Sequence, residues 1–196
     1  MYKKISYPFF IKSAVFLYCI LLLSSCQPPF GEGKVAEFRY TDQSGRPFDK
    51  KELENKVWIA DFIFTSCKTV CPPMTANMRA LQSMAEEKRI PIQIVSFSVD
   101  PDVDTPEKLK EFSRKFQVKE NNWHFLTGYK NEEISQFARD SFKTIVKKPE
   151  NEDQVIHGTS FYLVDKKGRV SKNYSGTGKV PFEQILSDVQ KLEKQH

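Results

Sequence analysis

The sequence predicts an α/β domain in which a central sheet carries helices on both faces. Two observations lead to this prediction. Apolar runs of strand length alternate with segments of helical periodicity, and two short strand patterns joined by a turn stand near each end. About 160 residues follow the N-terminal segment, which is enough for one hydrophobic core. We therefore expect one folded unit at residues 35–196.

The first predicted elements lead to a run that is nearly all apolar or β-forming. A turn signal, Asp42-Gln43-Ser44-Gly45, separates two short strand patterns and predicts an added N-terminal β-hairpin. Residues 57–64 predict a central strand covered on both faces, because polar residues do not alternate with apolar ones there. A helical stripe and a second apolar strand follow, which predicts a β-α-β unit. They consist of Met74, Met78, Leu81 and Ala85, and of residues 92–99.

The rest of the chain continues the alternation. Thr105 and Pro106 mark a helix start, since threonine caps the first turn and proline suits the first helical position. A turn at 165–168 joins the last two strands. The further predicted strands are 124–127, 160–164 and 170–174, and the further helices are 132–142 and a last one from Pro181.

The N-terminal segment has the pattern of a secretory leader. Lysines at positions 3, 4 and 12 precede an apolar run at 14–23, which is about half the ~20 residues that span a bilayer. The run ends in Leu23-Ser24-Ser25-Cys26, which resembles the lipobox of bacterial lipoproteins. We expect a signal peptide at 1–25, a lipidated Cys26 and a spacer at 26–34. The lipid would anchor the exported domain to the outer face of the bacterial cytoplasmic membrane.

The charge balance excludes one class of function. The chain has a formal net charge of +5, of which the three lysines of the leader supply three, leaving +2 for residues 26–196. No basic block interleaved with aromatic residues is present. Nucleic-acid binding is therefore not expected.

The cysteines point to chemistry at one place. Cys19 leaves with the leader and Cys26 carries lipid, so the exported domain keeps Cys67 and Cys71, in Cys67-Lys68-Thr69-Val70-Cys71-Pro72. A disulfide across so short a loop would contribute only about 2 kcal/mol, so a stapling role is a poor explanation. The pair stands where a strand gives way to a helix, whose N-terminal amides favour thiolates. We expect lowered thiol pKa values, and redox chemistry or capture of a soft metal.

The histidines differ in what they can contribute. His196 is terminal, and His124 is predicted to pack within its strand. His157 precedes the strand at 160–164, and Gly158 is expected to give the backbone the freedom to bring the ring beside another segment. From the residues alone, His157 is either a structural residue or a third ligand.

Over residues 35–191 the chain resembles the Sco/SenC family of thioredoxin-like copper-binding proteins. The matching segments are 67–72, 98–106, 123–128 and His157 ahead of 161–165. The resemblance implies a thioredoxin-like fold in which Cys67, Cys71 and His157 bind one copper ion, Cu(I) or Cu(II). It also implies that Asp100 supports the site from outside the ligand set. Two thiolates and one imidazole suit copper by their softness, whereas a structural zinc site would require a fourth protein ligand.

The resemblance implies a membrane-tethered metallochaperone rather than an enzyme, one that helps to assemble the CuA centre of cytochrome c oxidase. Its expected partners are the CuA-bearing subunit and a thiol reductant or an upstream copper donor. The alternative is a thiol–disulfide oxidoreductase that keeps the CuA-ligand cysteines reduced. Such enzymes usually have two residues between the cysteines and a cis-proline facing them, but this chain has three residues and, at the aligned position, Thr159. Both roles stay open, because one pair of thiols can serve either.

Overall fold

The computed structural model describes residues 33–149, 152 and 154–195. The predicted signal peptide, the lipidation site at Cys26 and the terminal His196 lie outside the described residues. Among the helices that are described, none is both long enough and apolar enough to cross a membrane.

The predicted N-terminal hairpin is confirmed. Strands β1 (Arg39–Asp42) and β2 (Pro47–Asp49) pair in antiparallel fashion. The Asp42 carboxylate accepts two backbone N–H groups of the turn, and Gly45 adopts a φ of 75° there, a conformation that costs glycine little. A short 3₁₀ helix follows at Lys50–Leu53, which the apolar pattern did not predict because it buries one residue only.

The predicted β-α-β unit is also confirmed. All six residues of β3 (Trp58–Ile63) are buried, as expected for a strand covered on both faces. Helix α1 (Cys71–Glu87) buries the predicted stripe of Met74, Met78, Leu81 and Ala85. Strand β4 (Gln93–Ser98) then lies parallel to β3. The Cys67–Cys71 loop consequently stands at the carboxyl end of a central strand.

A second crossover extends the parallel part of the sheet. Helix α2 (Pro106–Lys115) begins after Thr105, whose hydroxyl accepts a backbone N–H of the first turn at 3.4 Å. Strand β5 (Trp123–Thr127) pairs parallel to β4. Phe112 of α2 packs against Phe125 of β5, with ring centroids 6.1 Å apart, and this contact holds the helix on the sheet.

The C-terminal half completes a seven-stranded sheet. Helix α3 (Asn131–Phe142) leads through two short strands to β8 (Ser160–Val164), which pairs antiparallel to β3. Strand β9 (Val170–Ser175) and helix α4 (Phe182–Glu193) follow. The strand order is β2-β1-β5-β4-β3-β8-β9.

Helices cover both faces of this sheet, as predicted. Side chains of adjacent residues in a strand point to opposite faces. In β4, Ser96 contacts Trp123 on the face of α2, whereas Phe97 packs against Phe137 of α3 with centroids 5.0 Å apart. Helices α2 and α3 therefore lie on opposite sides of the sheet.

Two short strands between α3 and β8 form a separate two-stranded sheet. They are β6 (Val146–Lys147) and β7 (Ile156–His157), and Val146 pairs with His157. The sequence predicted only that His157 precedes the strand at 160–164, so the short strand β7 is an addition to the predicted elements. Strands of two residues are too short to show a periodicity in sequence.

Candidate metal centre

Cys67 and Cys71 occupy the turn from β3 into α1. Cys71 is the first residue of the helix and is wholly buried, whereas Cys67 lies in the preceding loop with 6% of its surface exposed. The backbone N–H of Cys71 donates to the Cys67 sulfur at 3.4 Å. The two thiols are free, and the loop holds them side by side.

A buried carboxylate fastens this loop to the rest of the protein. Asp104 accepts the backbone N–H of Thr65 at 3.2 Å and the Thr65 hydroxyl at 2.5 Å, and the Ser98 hydroxyl donates to its other oxygen at 2.6 Å. Burial raises the pKa of Asp104, although these donors oppose the shift. The role of Asp104 was not predicted, and its place within the 98–106 segment was the only signal in the sequence.

The pKa values of the two thiols are shifted in opposite directions. Burial raises the pKa of Cys67, but N–H groups of the loop and of Cys71 outweigh burial and bring this pKa below its ordinary value. Burial also raises the pKa of Cys71 far above the ordinary value, and the neighbouring Cys67 and Asp61 add to that shift. The prediction that both pKa values are lowered was therefore wrong for Cys71. Full burial at the first helical position outweighs the helix dipole there.

The imidazole of His157 lies against the buried thiol. Its Nε2 is 3.4 Å from the Cys71 sulfur, and its Nδ1 is 2.9 Å from the carbonyl oxygen of Gly158. A carbonyl oxygen only accepts, so Nδ1 carries the proton. Burial lowers the pKa of His157, which keeps the ring neutral. The Nε2 lone pair therefore faces Cys71, the orientation that a metal ligand requires.

Gly158 is required for a reason other than the predicted one. Its φ lies outside the left-handed region, so backbone freedom is not what this position uses. A Cβ atom here would lie 2.3 Å from the Thr144 hydroxyl oxygen and 3.1 Å from that of Tyr162. The absence of a side chain lets the His157 segment pass close to these two residues.

Asp100, which was predicted to support the metal centre, forms an ion pair with Lys148 rather than a contact with the ligands. Its carboxylate is 2.6 Å from the Lys148 ammonium, and its own N–H donates to the Ser98 hydroxyl at 3.1 Å. Among the described hydrogen bonds, none joins Asp100 to Cys67, Cys71 or His157. The other histidine in the described chain, His124, packs against Phe48 with ring centroids 4.3 Å apart, as its predicted structural role requires.

A further buried acid, Asp61, acts on Cys71 through its charge. Asp61 of β3 is wholly buried, and burial raises its pKa to about 7 although the Ser96 hydroxyl donates to it at 2.6 Å. Its second oxygen has no hydrogen-bond partner among the described residues. The signal that could have identified Asp61 is its position as the one acid in the apolar run at 57–64.

The two sulfur atoms and the imidazole nitrogen are the kinds of donor that a soft metal ion binds, and one of the distances between them also fits such an ion. Ligands at about 2.3 Å for sulfur and 2.0 Å for nitrogen lie about 3.5 Å apart on a tetrahedral ion, which is close to the 3.4 Å between Cys71 and His157. Across the described part of the chain, however, no three His, Cys, Asp or Glu side chains form a group that could hold a metal as they stand. Cys71 and His157 thus have the spacing of two ligands on one ion, and the Cys67 sulfur lies beside them, 3.4 Å from the backbone nitrogen of Cys71.

Comparisons with known proteins identify the family of the chain. The family model described as SCO1/SenC matches residues 27–194. The SCO1 protein homolog of Bacillus subtilis (strain 168) is 50% identical over 156 residues, which are 80% of this chain and 81% of that protein. A SCO1/SenC family lipoprotein from Bacillus anthracis str. Ames has a crystal structure with a TM-score of 0.82 and 52% identity, covering 86% of this chain and 99% of that one.

Two further solved structures bear on chemistry. BsSco, a member of the Sco family of cytochrome c oxidase assembly proteins in which a disulfide switch was identified, has a TM-score of 0.79 at 46% identity, over 87% of this chain and 98% of its own. Arabidopsis thaliana ScoI with copper bound has a TM-score of 0.68 at 25% identity, and the match covers 84% of this chain and 100% of that one. The predicted thioredoxin-like α/β fold is confirmed by these neighbours.

Proposed function

The chain belongs to the SCO1/SenC family, and from that premise we propose that it is a membrane-anchored copper chaperone that assists assembly of the CuA centre of cytochrome c oxidase. One copper ion is its cargo, held by the thiolates of Cys67 and Cys71 and the imidazole of His157. The relatives support this class of function, since one is described with copper bound and another belongs to a family of oxidase assembly proteins.

The contact between Cys71 and His157 carries the proposal. Its 3.4 Å separation suits two donors that share one ion, and the neutral imidazole directs a lone pair at the gap. Cys67 supplies the thiolate that forms first, because its pKa is lowered, and Cys71 must release its proton as the ion binds. Thiolates and imidazole favour copper among the common metals.

Copper binding to the reduced protein tests this proposal. We expect one copper per chain with a thiolate-to-Cu(II) charge-transfer band, which Cys67→Ser or Cys71→Ser abolishes. His157→Ala should weaken binding or change the spectrum, whereas His124→Ala is the matched control that removes a histidine away from the thiols. Equal affinity and an identical spectrum for His157→Ala and wild type would contradict the ligand assignment.

A thiol reductant is the second candidate, and the opposite pKa shifts of the two thiols favour it. The Cys67 thiolate would attack a partner disulfide, forming a mixed disulfide and releasing one partner thiolate. Cys71 would then pass its proton to the released partner thiolate, attack the Cys67 sulfur, release the second partner thiolate and leave a Cys67–Cys71 disulfide. Two electrons pass to the partner, and a separate thiol reductant restores the pair.

Oxidase assembly in a deletion strain separates the two candidates. A chaperone needs the imidazole, so His157→Ala should impair oxidase activity in copper-limited medium about as severely as Cys67→Ser. Thiol exchange has no obligatory use for this ring. Full oxidase activity with His157→Ala would therefore favour the reductase.

Anchoring is proposed from the lipobox-like segment ending in Cys26, and the Bacillus anthracis relative is a lipoprotein. A diacylated cysteine supplies two acyl chains, which is what stable anchoring takes. Mass spectrometry of the mature N-terminus should find lipid on Cys26, and Cys26→Ala should abolish it. An unmodified N-terminus at another residue would contradict the proposal.

A further inference from the structure

An open groove of about 670 Å³ runs between the Cys67 loop and helix α2. Ser66, the neighbour of Cys67, lines one side, and cationic side chains of α2 line the other. Val103 and Phe112 contribute apolar surface to its lining. A molecule seated in this groove would touch Ser66, the residue adjacent to Cys67, which is the more exposed of the two thiols.

The groove carries an excess of positive charge. Its lining contains Lys108, Arg114 and Lys115 but one acid, Glu111. All three cations are exposed, and none of them forms an ion pair with any residue that the structure describes. Exposed Lys68 on the cysteine loop is likewise without an ion pair there. This charge is therefore available to an external partner.

We infer that this groove docks an acidic segment of the protein that exchanges copper or electrons with Cys67, an inference that rests on the proposed function. Unpaired cations beside a reactive group attract an acidic partner and raise its rate of association. The apolar lining at Val103 and Phe112 offers contact area to the partner, for a short side chain that lies between the acidic side chains of its segment. The groove thus brings the partner's reacting atoms to the exposed side of the thiol pair.

The net charge of the whole domain does not explain this attraction. Residues 26–196 carry only +2, so a general electrostatic effect would be weak. The effect should instead depend on where the charges lie. Lys56 and Lys194 provide a matched control, because both are exposed and lie at the opposite end of β3. There the backbone N–H of Val57, next to Lys56, donates a hydrogen bond to the carboxylate of Glu193, next to Lys194.

The test measures association with the soluble CuA-bearing domain of the host's cytochrome c oxidase, at low and at physiological ionic strength. The double variant Lys108→Glu/Lys115→Glu should associate about tenfold more slowly at low salt and lose most of its salt dependence. Lys56→Glu/Lys194→Glu, which changes the net charge equally, should stay within about twofold of wild type. Equal rates for the two double variants, or no association of wild type, would overturn the inference.

Copper binding by the same samples keeps the two proposals apart. Both double variants should bind copper as wild type does, because no substituted residue belongs to the proposed ligand set. If wild type binds no copper, the proposed function fails, whatever the association rates are. Vesicles of phosphatidylglycerol and phosphatidylcholine test another occupant. If Lys108→Glu/Lys115→Glu no longer binds these vesicles but still associates with the CuA domain as wild type does, the groove binds lipid and the inference is overturned.

Discussion

The Asp100 carboxylate lies 2.6 Å from the Lys148 ammonium, and this ion pair joins the loop after β4 to the strand pair that carries His157. Asp100 is almost wholly buried, and Lys148 directly follows β6, whose Val146 pairs with His157. The acid can therefore support the imidazole through Lys148 and β6 without touching the thiols.

Removing the charge of Asp100 should weaken metal binding indirectly. We expect Asp100→Asn to lower copper affinity by about tenfold to a hundredfold, as is usual for residues that orient metal ligands. Asp102→Asn, an exposed acid in the same loop, is the matched control. Competition titrations with a copper chelator would measure both, and equal affinities would contradict a role for the ion pair.

The two thiols should react at different rates. Cys67 has the lowered pKa and the greater exposure, so iodoacetamide should alkylate it before Cys71 in the reduced, metal-free protein. Peptide mass spectrometry over a time course identifies the modified residue. Faster modification of Cys71 in the folded protein would show that the assigned order is wrong.

Copper affinity should rise with pH. Burial raises the pKa of the Cys71 thiol, so this thiol carries a proton at neutral pH that metal binding must displace. The apparent association constant should increase by about tenfold per pH unit for each proton released between pH 6 and 8. Calorimetry in buffers of different ionisation enthalpy counts the protons. Binding without proton release would contradict a protonated Cys71.

Asp61 should make the metal-free protein less stable as pH rises. Its folded-state pKa is raised from 3.8 to about 7, so its contribution to stability is present in acid and is lost as pH rises through about 7. Between pH 5 and 8, wild type should lose about 2.5 kcal/mol more of its free energy of unfolding than Asp61→Asn does. Urea unfolding at both pH values measures this difference, and parallel pH profiles would refute the assignment.

Adding a methyl group at Gly158 should displace the ligand segment. The new Cβ would lie 2.3 Å from the Thr144 hydroxyl oxygen, so Gly158→Ala should weaken copper binding. Thr144→Ala removes that oxygen, and the double variant Gly158→Ala/Thr144→Ala should recover part of the affinity. A double variant as weak as Gly158→Ala would show that this contact is not the cause.

The sequence predicted the secondary structure best where the local residues strongly favour one environment or one conformation. The run at 57–64 is apolar enough to require burial on both faces, and every residue of β3 is buried. Thr105 and Pro106 likewise predict a helix start from local geometry alone, and α2 begins there.

Properties set by distant contacts could not be predicted in this way. The raised pKa of Cys71 depends on how completely β3, α1 and their neighbours exclude water from it. The partner of Asp100 is 48 positions away in the sequence. The strands β6 and β7 have two residues each and are defined by pairing with each other, which no local pattern reveals.

Cys71 and His157 are separated by 86 positions in the chain. An ion bound to both would act as a removable cross-link across that span, and closing a loop of this size restricts an unfolded chain by about 4–5 kcal/mol in the chain-entropy description. Loaded molecules would then open and be degraded more slowly than empty ones. If the proposed ligand set holds the ion, the cellular lifetime of the protein would therefore depend on whether the ion is bound.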